Sequence, residues 1–554
     1  IPRPPPATTP TLPSKPRMTL SMNLRFNNGY FIRKLLSKPK LNLLFAYFGP
    51  VKGRIERMST QAARRKGADG PGMEGTGTMR IGRRTLLAGT AAVAAGAAGA
   101  WWWGGEPPVP KADRAARTEG QLFERGLIGI ERSGWTRPEG VAAPWPVLAA
   151  DLAADVLVVG AGLAGSSLAL HLAEAGLKVA VIEARQPGWG ASGRNAGHVL
   201  PTLRDAAVFE RFPDGGKAFL DAFRKHRNLP YDLAARHGAA QDAVRSGYLN
   251  VAENAEAAAE FRAKSAWMER QGLLRIEETG GEELVRQTGS RLWTHAISFP
   301  DGGQVNPYRL TNAMTAAAAR LGALVFGESP AIRIDQAGSR WTVRTPRGSV
   351  TAERVVFCTN AYPTDVVPEF ATAFYPLTAY ALTTRTLPDE AKALIMPGRQ
   401  TLSQLPLDIN PLVRDRHDRL ILSSIPTVSS PEDAVWHFRN QLAWLHHAWP
   451  ETKAMKIELE AYWTGRVAMR DREFPGVFQP RAGIYGLMYF NAWGNLMAPL
   501  MGKLLARGLA ADRTDALPFP IEKPLAVSNQ GKMDRIIRHL LIPAARTAQN
   551  LGVL

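Results

Sequence analysis

Three glycines and one glutamate between positions 155 and 184 have the clearest chemical meaning in this chain. The segment reads DVLVVGAGLAGSSLALHLAEAGLKVAVIEA, with Gly160, Gly162 and Gly165 in a G-x-G-x-x-G pattern and Glu183 roughly 20 residues later. Such glycines allow a tight turn and a close approach of backbone N–H groups to a pyrophosphate. The carboxylate accepts hydrogen bonds from both ribose hydroxyls and would repel a 2′-phosphate. The pattern therefore predicts a site for NAD or FAD and disfavours NADP.

The elements that must position these residues are a strand, a helix and a second strand. Residues 156–159 form a continuous apolar run, which is typical of a buried parallel strand. A helix over about 163–175 would end at Gly176 and point its positive N-terminal end at the phosphates. The run KVAVIEA then reads as the second strand. This order predicts an α/β fold with a Rossmann-like domain.

The sequence after the second strand favours FAD over NAD. Residues 185–199, RQPGWGASGRNAGHV, form a glycine-rich loop where a nicotinamide enzyme usually continues into another helix. Such a loop is a second length of backbone able to follow an extended cofactor. It resembles the loop G-A-S-G-R-N-G-G of the D-amino-acid-oxidase-like superfamily of FAD enzymes, in its branch of glycine, sarcosine and gamma-glutamylputrescine oxidases. Residues 190–197 match that form, except that Ala196 replaces one glycine.

Three further segments extend the resemblance, which covers roughly residues 150–515. Residues 299–334 are similar to the segment that enters the second part of the family's FAD domain, and residues 354–363 to the strand and turn that close it. Residues 462–509 are similar to the C-terminal family segment in order and spacing. They depart from it at 492–494, which read A-W-G where the family usually has G-H-G.

The resemblance implies FAD as the cofactor and a discontinuous, Rossmann-like FAD-binding domain joined to a substrate domain with an antiparallel sheet. It places the backbone near Ile332 against adenine. The helix that begins after Trp493 would stabilise negative charge at the flavin. The residues expected to bind FAD are Gly160, Ala161, Gly162, Leu163, Ala164, Gly165, Glu183, Ala184, Arg185, Ala191, Ser192, Arg194, Asn195, Gly197, Ile332, Gly494 and Asn495.

Three residues are candidates for catalysis. The resemblance places His198 at the edge of the flavin, with a surface or structural histidine as the alternative. Trp493, together with Trp463, is expected to wall the substrate site, unless both belong to the core. Arg414 is a candidate anchor for a substrate carboxylate, because a guanidinium can bind one through two hydrogen bonds. A solvated surface arginine is the alternative for Arg414.

The implied reaction is the oxidation of a small amine or amino acid. FAD accepts a hydride from the carbon next to nitrogen, and water hydrolyses the imine product. The electrons then pass to oxygen or, in a dehydrogenase, to a quinone or another carrier. A different class also stays open, a flavoprotein that uses this fold in assembly or RNA modification. The altered triplet at 492–494 favours secondary or N-substituted amines over compact zwitterions.

On this interpretation the chain divides into six parts. They are a basic extension (1–78), a signal or anchor (79–103), a linker (104–150), the FAD-binding domain (151–205, 300–370 and 464–515), the substrate domain (206–299 and 371–463) and a C-terminal tail (516–554). The strand-like runs LTAYALTT and DRLILSS and the helical stretch AWLHHAWPE support the substrate domain. The amphipathic KMDRIIRHLL in the tail indicates a docking helix, with a membrane-surface helix as the alternative.

Composition argues against two kinds of partner. The formal charge is +19, but residues 1–84 hold 17 Lys and Arg against three acidic residues, which leaves only +5 for the other 470 residues. The globular part is nearly balanced, so nucleic acid is not an expected partner. The single cysteine, Cys358, lies in an apolar strand and is expected in the core. His446 and His447 are adjacent and point to different helix sides, so no metal site is expected.

The first hundred residues have the organisation of an export signal. Residues 1–78 are rich in proline and basic residues and are expected to be disordered, or to lie upstream of a true start at Met79. Two arginines then precede an apolar run over 86–100, which resembles a twin-arginine signal. The run is shorter than the roughly 20 residues that span a bilayer, but an uncleaved anchor over 84–103 is an alternative. The expected location is the periplasm or the inner membrane, with the cytoplasm as the alternative.

The signal can be tested apart from the enzyme. A reporter fused to residues 79–110 should leave the cytoplasm, and changing Arg83 and Arg84 to Lys should retain it, because the twin-arginine route reads that pair. Cell fractionation of both fusions gives the answer. A wild-type fusion that stays wholly cytoplasmic would contradict the signal.

Overall fold

The computed structural model describes residues 133–136, 143–203, 206–405, 408–426, 433–470 and 474–550. The predicted extension (1–78) and the twin-arginine-like segment (79–103) lie outside these residues. The described strands are β1 (Asp151–Val159), β2 (Val179–Ile182), β3 (His198–Val199), β4 (Ala243–Val244), β5 (Tyr248–Ala252), β6 (Glu277–Gly280), β7 (His295–Phe299), β8 (Gly303–Val305), β9 (Leu324–Phe326), β10 (Arg333–Ala337), β11 (Arg340–Arg344), β12 (Ser349–Phe357), β13 (Tyr375–Thr384), β14 (Thr401–Gln404), β15 (Leu412–Arg414), β16 (Leu420–Ser424), β17 (Leu459–Met469), β18 (Gly476–Arg481), β19 (Ile484–Met488) and β20 (Ile521–Glu522).

The α-helices of the same residues connect and cover these strands. They are α1 (Leu163–Glu174), α2 (Lys217–His226), α3 (Leu229–Arg236), α4 (Ala255–Arg270), α5 (Gly281–Thr288), α6 (Pro307–Arg320), α7 (Pro368–Thr372), α8 (Asp389–Leu394), α9 (Ala434–Ala448), α10 (Gly494–Ala510), α11 (Gly531–Ile536) and α12 (Ile542–Asn550). The predicted helix over 163–175 corresponds to α1. Asn306-Pro307 starts α6, because the Asn306 side chain accepts a hydrogen bond from the Arg309 N–H.

Nine of the described strands form a sheet that extends outward from β1. Its main path runs β20–β18–β19–β12–β1–β2–β9, and β10 and β11 extend it beside β12. β1 pairs in parallel with β12 on one side and with β2 on the other. The end of β1 is buried, as the apolar run at 156–159 predicts. The α/β class and the Rossmann-like arrangement are therefore confirmed.

Eight of the described strands form the second sheet, in the order β17–β13–β16–β15–β14–β5–β7–β6. Its pairs are antiparallel, except that β14 pairs in parallel with β5. The runs LTAYALTT and DRLILSS lie in β13 and β16, which are neighbours in this sheet. The stretch AWLHHAWPE overlaps the end of α9. The predicted antiparallel sheet is present, with one parallel pair that the sequence did not indicate.

Three structural features do not follow the predicted division of the chain. β17 pairs with β13 along its length, so the second sheet continues past the predicted limit at residue 463. β20 lies in the predicted tail but joins the nine-stranded sheet beside β18. The predicted linker contains Ser133 and Trp135, which are 2% and 4% exposed. Contacts between distant segments set these limits, and local composition does not mark them.

The glycine turn brings α1 into direct contact with β1. Gly160 has a φ of +101°, which a side chain would disfavour. A Cβ atom at Gly165 would lie 1.9 Å from the Gly160 carbonyl oxygen, so only glycine fits there. On α10, a Cβ atom at Gly502 would lie 2.9 Å from the Ala164 carbonyl oxygen. Small residues thus let α1 pack tightly between the sheet and α10, and α6 also packs against it.

The C-terminal tail docks on the rest of the chain. Met533, Ile537 and Ile542 are buried in an apolar cluster that includes Tyr375 and Leu377 of β13. Of the two predicted alternatives for this segment, a docking helix and a membrane-surface helix, the structure therefore shows the docking helix. None of the helices in the described ranges is both long enough and apolar enough to cross a bilayer.

Substituting Gly165 should destabilise the protein. In Gly165→Ala the added methyl group meets the Gly160 carbonyl, so we expect the free energy of unfolding to fall by about 1–3 kcal/mol, with a matching loss in Tm. Gly531→Ala is the control, because a Cβ atom there has only the Arg535 guanidinium within ordinary contact distance. Equal melting temperatures for the two variants would contradict the close approach.

Candidate active site

A cavity of about 1050 Å³ runs between the glycine turn and the second sheet. This volume is at the upper end of small-molecule pockets, which suits a large cofactor together with a substrate. His198 and Trp493 line it. So do most residues predicted to bind the cofactor, namely Gly160, Gly162, Leu163, Ala164, Glu183, Ala184, Arg185, Ala191, Ser192, Arg194, Asn195, Gly494 and Asn495.

Glu183 follows the end of β2, beside the glycine turn. One carboxylate oxygen accepts from the Ala161 N–H at 2.8 Å and the other from the Arg185 N–H at 3.0 Å. Burial raises the pKa of Glu183, and these backbone hydrogen bonds act in the opposite direction. A carboxylate has about four acceptor positions, so it can accept from ribose hydroxyls while the backbone holds it in place.

The N-terminus of α1 presents backbone N–H groups to the cavity. Its N-cap residue, Gly162, has no side chain, and its first turn holds no acidic residue. Ser192 Oγ from the loop accepts a hydrogen bond from the Leu163 N–H at 2.9 Å. Loop and helix therefore meet where the positive end of the helix can hold a pyrophosphate.

Indole N–H groups hold the loop over 190–197. Trp463 Nε1 donates to the Arg194 carbonyl and Trp135 Nε1 to the Asn195 carbonyl, both at 2.8 Å. Trp463 is fully buried and does not line the cavity. Of its two predicted places the structure shows the core and not the substrate wall, because its ring packs in an apolar cluster with Trp135.

Two side chains of the loop tie it to its surroundings. Arg194 Nε donates to the Trp189 carbonyl at 2.7 Å, and its guanidinium lies 4.7 Å from the centre of that indole ring. Asn195 Oδ1 accepts from the Gly197 N–H and from Asn495 Nδ2, both at 2.9 Å. The second of these bonds joins the loop to the start of α10.

The first residues of α10 line the cavity. The helix begins at Gly494, and its first turn has no acidic side chain. Asn495 Nδ2 donates to the His198 carbonyl at 2.8 Å, which fixes the helix start beside the histidine. The preceding chain is strained, because Asn491 and Ala492 have φ values of +50° and +60°. Glycine, as in the family's G-H-G, would adopt the conformation of Ala492 without this cost.

His198 faces the cavity without a hydrogen-bond partner. Among the described residues, no group bonds to Nδ1 or Nε2. Burial lowers the pKa of His198 to about 3, so the ring is neutral at pH 7. Its ring meets Tyr248 edge to face, with centroids 5.4 Å apart. This is neither a surface histidine nor a structural one with satisfied nitrogens.

Trp493 and Cys358 occupy two parts of the cavity wall. Trp493 is 3% exposed, and its Nε1 donates to the Leu200 carbonyl at 3.4 Å. Cys358 is buried under the glycine turn, and a Cβ atom at Gly165 would lie 3.2 Å from the Cys358 Cβ. Burial raises the pKa of the Cys358 thiol, which agrees with its predicted place in the core.

Three predicted cofactor residues lie beneath or beside the lining. Ala161 and Gly165 lie beneath it. The Ala161 N–H donates to Glu183, and Gly165 packs against the Gly160 carbonyl. At Gly197, with a φ of +84°, a Cβ atom would lie 2.7 Å from the Val305 carbonyl oxygen. It therefore shapes the loop from behind.

Ile332 does not contact the cavity. It is 58% exposed, and its N–H donates to the Arg344 carbonyl at 2.9 Å. Its neighbour Ala331 lines the cavity instead. Ala331 and not Ile332 therefore lines the cavity, because the N–H of Ile332 is used in the antiparallel extension of the sheet.

The predicted role of Arg414 as a substrate anchor is wrong. Arg414 is buried away from the cavity. Its Nη1 donates to the Lys392 and Ile395 carbonyls at 2.6 and 3.0 Å. Asp418 accepts from its Nε and Nη2 at 3.0 and 2.8 Å. The guanidinium therefore joins segments within the predicted substrate domain, which contains most of the second sheet and is called the second domain below.

Three polar residues of the cavity have no signal in the sequence. The Tyr248 hydroxyl on β5 and the Ser403 hydroxyl on β14 are hydrogen-bonded to each other. Ser403 Oγ also donates a hydrogen bond to Asp408 Oδ2 at 2.6 Å. The parallel pairing of β5 with β14 brings them together. Tyr248 lies 155 residues before Ser403, so local spacing in the sequence does not predict this cluster.

Comparison with known proteins decides the family. Residues 155–507 match the family described as FAD dependent oxidoreductase (DAO). The chain belongs to this family. It is 30% identical over 401 residues to gamma-glutamylputrescine oxidoreductase of Escherichia coli, a match that covers 70% of this chain and 92% of the relative.

Solved structures of two oxidases share the fold. Glycine oxidase from Bacillus cereus aligns with a TM-score of 0.55 at 22% identity, over 66% of this chain and 99% of that one. Iminodiacetate oxidase from Chelativorans aligns with a TM-score of 0.53 at 20% identity, over 67% and 100%. These two alignments show a shared fold, and the family match identifies the chain as an FAD-dependent oxidoreductase.

The cavity residues fit FAD. A Cβ atom at Gly162 would lie 2.7 Å from Ser192 Oγ, so the glycine leaves open a narrow gap between helix and loop for phosphate groups. Glu183 is placed to bind the adenosine ribose. The N-termini of α1 and α10 both lack acidic residues in their first turns, and each can stabilise negative charge on the cofactor.

Removing the carboxylate of Glu183 should weaken FAD binding. A hydrogen bond to a charged group contributes roughly 1.5–3 kcal/mol, so Glu183→Ala should raise the Kd for FAD by about 10- to 150-fold. Titration of the apoprotein, followed by flavin fluorescence, measures this change. Glu328→Gln is the control, because Glu328 interacts electrostatically with Glu183 but does not line the cavity. Equal Kd values for both variants would contradict the assignment.

Proposed function

We propose that this oxidoreductase breaks a C–H bond next to nitrogen in a small amine or amino acid. Bound FAD supplies the hydride acceptor. The substrate carbon loses a hydride, the nitrogen loses a proton, and a C=N bond forms, which water hydrolyses to a carbonyl compound and an amine or ammonia. The observation that carries the proposal is the meeting of the neutral, unpaired His198 with the N-terminus of α10 in one cavity.

The names of the relatives support this reaction class. Gamma-glutamylputrescine, glycine and iminodiacetate each contain a nitrogen bonded to a carbon that carries hydrogen. These names belong to an oxidoreductase and two oxidases that align with this chain over about two thirds of its length. We infer the same bond as the reacting one here.

His198 keeps one region of the cavity uncharged. Because burial lowers the pKa of His198 to about 3, the ring is neutral near pH 7, and one nitrogen is a donor and the other an acceptor. The acceptor can take a hydrogen bond from the substrate N–H and so orient the nitrogen lone pair that forms the C=N bond. A neutral ring also does not repel an incoming ammonium group, as an imidazolium would.

The charges around the cavity favour amines over substrates rich in carboxylates. Asp408 lines the cavity on the side of the second sheet, and its carboxylate accepts a hydrogen bond from Ser403. Of the lining cations, Arg194 donates to backbone carbonyls and Lys264 pairs with Glu260 at 3.4 Å, whereas Arg466 is exposed and lies over the Tyr362 ring. We therefore propose that Asp408 attracts the substrate ammonium group into the cavity.

Apolar side chains complete the proposed substrate site. Trp493, Phe490, Leu377 and Ile425 all line the cavity. They exclude water from the reacting carbon and can contact an alkyl group on the nitrogen. This supports secondary or N-substituted amines as the preferred substrates.

The proposed electron acceptor is oxygen, with a quinone or another carrier as the alternative. Oxygen consumption by the holoenzyme with an active amine identifies an oxidase. Turnover that requires an added quinone identifies a dehydrogenase, which would suit the proposed attachment at the inner membrane.

The reaction itself is tested by product analysis. Purified holoenzyme should convert N-alkyl amines to equimolar carbonyl compound and amine, and mass spectrometry measures both. Asp408→Asn should raise the KM for amines, with Glu260→Gln as a control for a carboxylate that pairs with a lining residue. Conversion of hydroxy acids, with no turnover of any amine or amino acid, would overturn the proposed function.

The pH dependence should reflect the substrate and not His198. Amine oxidation should become faster as pH rises and the substrate amine loses its proton. His198 should add no inflection between pH 5 and 10, because its pKa lies near 3. His198→Ala should lower kcat/KM by about 5- to 150-fold, and His198→Gln by less. An inflection near pH 6.5 that disappears in His198→Gln would contradict this account.

A further inference from the structure

A short segment before the family match is buried between the second sheet and the loop over 190–197. Residues 133–136 read S-G-W-T and precede the family match, which begins at residue 155. Ser133 and Trp135 are 2% and 4% exposed. The segment contacts both the second domain and the FAD-binding loop.

On one side, the second domain holds this segment through a buried arginine. Arg419 is 1% exposed, and Asp415 and Glu460 accept hydrogen bonds from it at 2.8 and 2.5 Å. Its Nη1 also donates to the Gly134 carbonyl at 3.0 Å. A charge this deeply buried needs all of its donors directed to acceptors, so Arg419 fixes the backbone position of the segment. The Trp135 ring packs in an apolar cluster with residues of β13, β15, β16 and β17.

On the other side, Trp135 contacts the FAD-binding loop. Its Nε1 donates to the Asn195 carbonyl at 2.8 Å. A Cβ atom at Gly197 would lie 2.8 Å from the Trp135 ring, so the ring is seated directly on that glycine. Asn306 Nδ2 donates to the Trp135 carbonyl at 3.3 Å, which fixes the tryptophan from the start of α6.

We propose that Trp135 is a positioning residue for FAD and that residues 133–136 fasten the FAD-binding loop to the second domain. The indole holds the Asn195 carbonyl, while the Asn195 side chain bonds Asn495 at the start of α10. Trp135 therefore sets the spacing between the loop and the helix that line the cofactor cavity. Cofactor retention in this chain depends on a segment that the family match does not include.

The test measures FAD affinity separately from fold stability. FAD is removed from the purified full-length protein and titrated back, with flavin fluorescence as the readout and circular dichroism as the check on folding. Trp135→Phe keeps the ring but loses the N–H donor, so the Kd for FAD should rise roughly 2- to 10-fold. Trp135→Ala should raise it further and change the visible spectrum of any bound flavin.

Trp293 supplies the matched controls. It is a buried tryptophan, 2% exposed, in a different apolar cluster and away from the cavity. Trp293→Phe and Trp293→Ala should lower Tm and leave the FAD Kd unchanged. If Trp135→Ala fails to fold, the two phenylalanine variants still decide the matter. Equal FAD affinities for Trp135→Phe and Trp293→Phe, at equal stability, would overturn the proposal.

Discussion

The contact between the Gly160 carbonyl and the α-carbon of Gly165 governs the geometry of this site. A side chain at Gly165 would be 1.9 Å from that oxygen, so the sequence must place glycine there for α1 to start directly after β1. With the helix this close, its N-terminal N–H groups and the Glu183 carboxylate face one cavity. The Ala161 N–H in the same turn holds that carboxylate. Phosphate binding and ribose binding therefore follow from one backbone approach.

The loop over 190–197 extends this arrangement toward the second sheet. Its carbonyl groups accept from Trp463 and Trp135, and its Asn195 side chain bonds the start of α10. Each of these partners comes from a different part of the chain. Several elements therefore hold the loop in place, and these bonds place His198 beside the first turn of α10.

Local patterns predicted the parts of the site that local chemistry determines. The glycine spacing and Glu183 indicated the dinucleotide turn, and the apolar runs indicated β1, β2 and α1. The family resemblance indicated the loop and α10. Ile332 lies one residue away from Ala331, which lines the cavity, because periodicity predicts a strand but not its exact edge.

The rest of the site depends on contacts between segments that are distant in the chain. Tyr248 meets Ser403, and through it Asp408, because β5 pairs with β14. Arg414 could be taken for a substrate anchor because the carbonyl groups that accept its hydrogen bonds belong to another segment. Trp135 lay in an interval that composition marks as a linker. To predict that His198 is neutral and unpaired, one must also know how deeply it is buried, which the sequence does not show.

The most direct test of the central claim is the anaerobic reduction of bound FAD by an amine deuterated at the carbon next to nitrogen. Stopped-flow absorbance follows the flavin after mixing with the light or the deuterated amine. The account predicts rapid loss of the oxidised flavin absorbance, several-fold slower with deuterium, because that C–H bond breaks in the reductive step. No reduction by any amine or amino acid, with reduction by hydroxy acids, would contradict it.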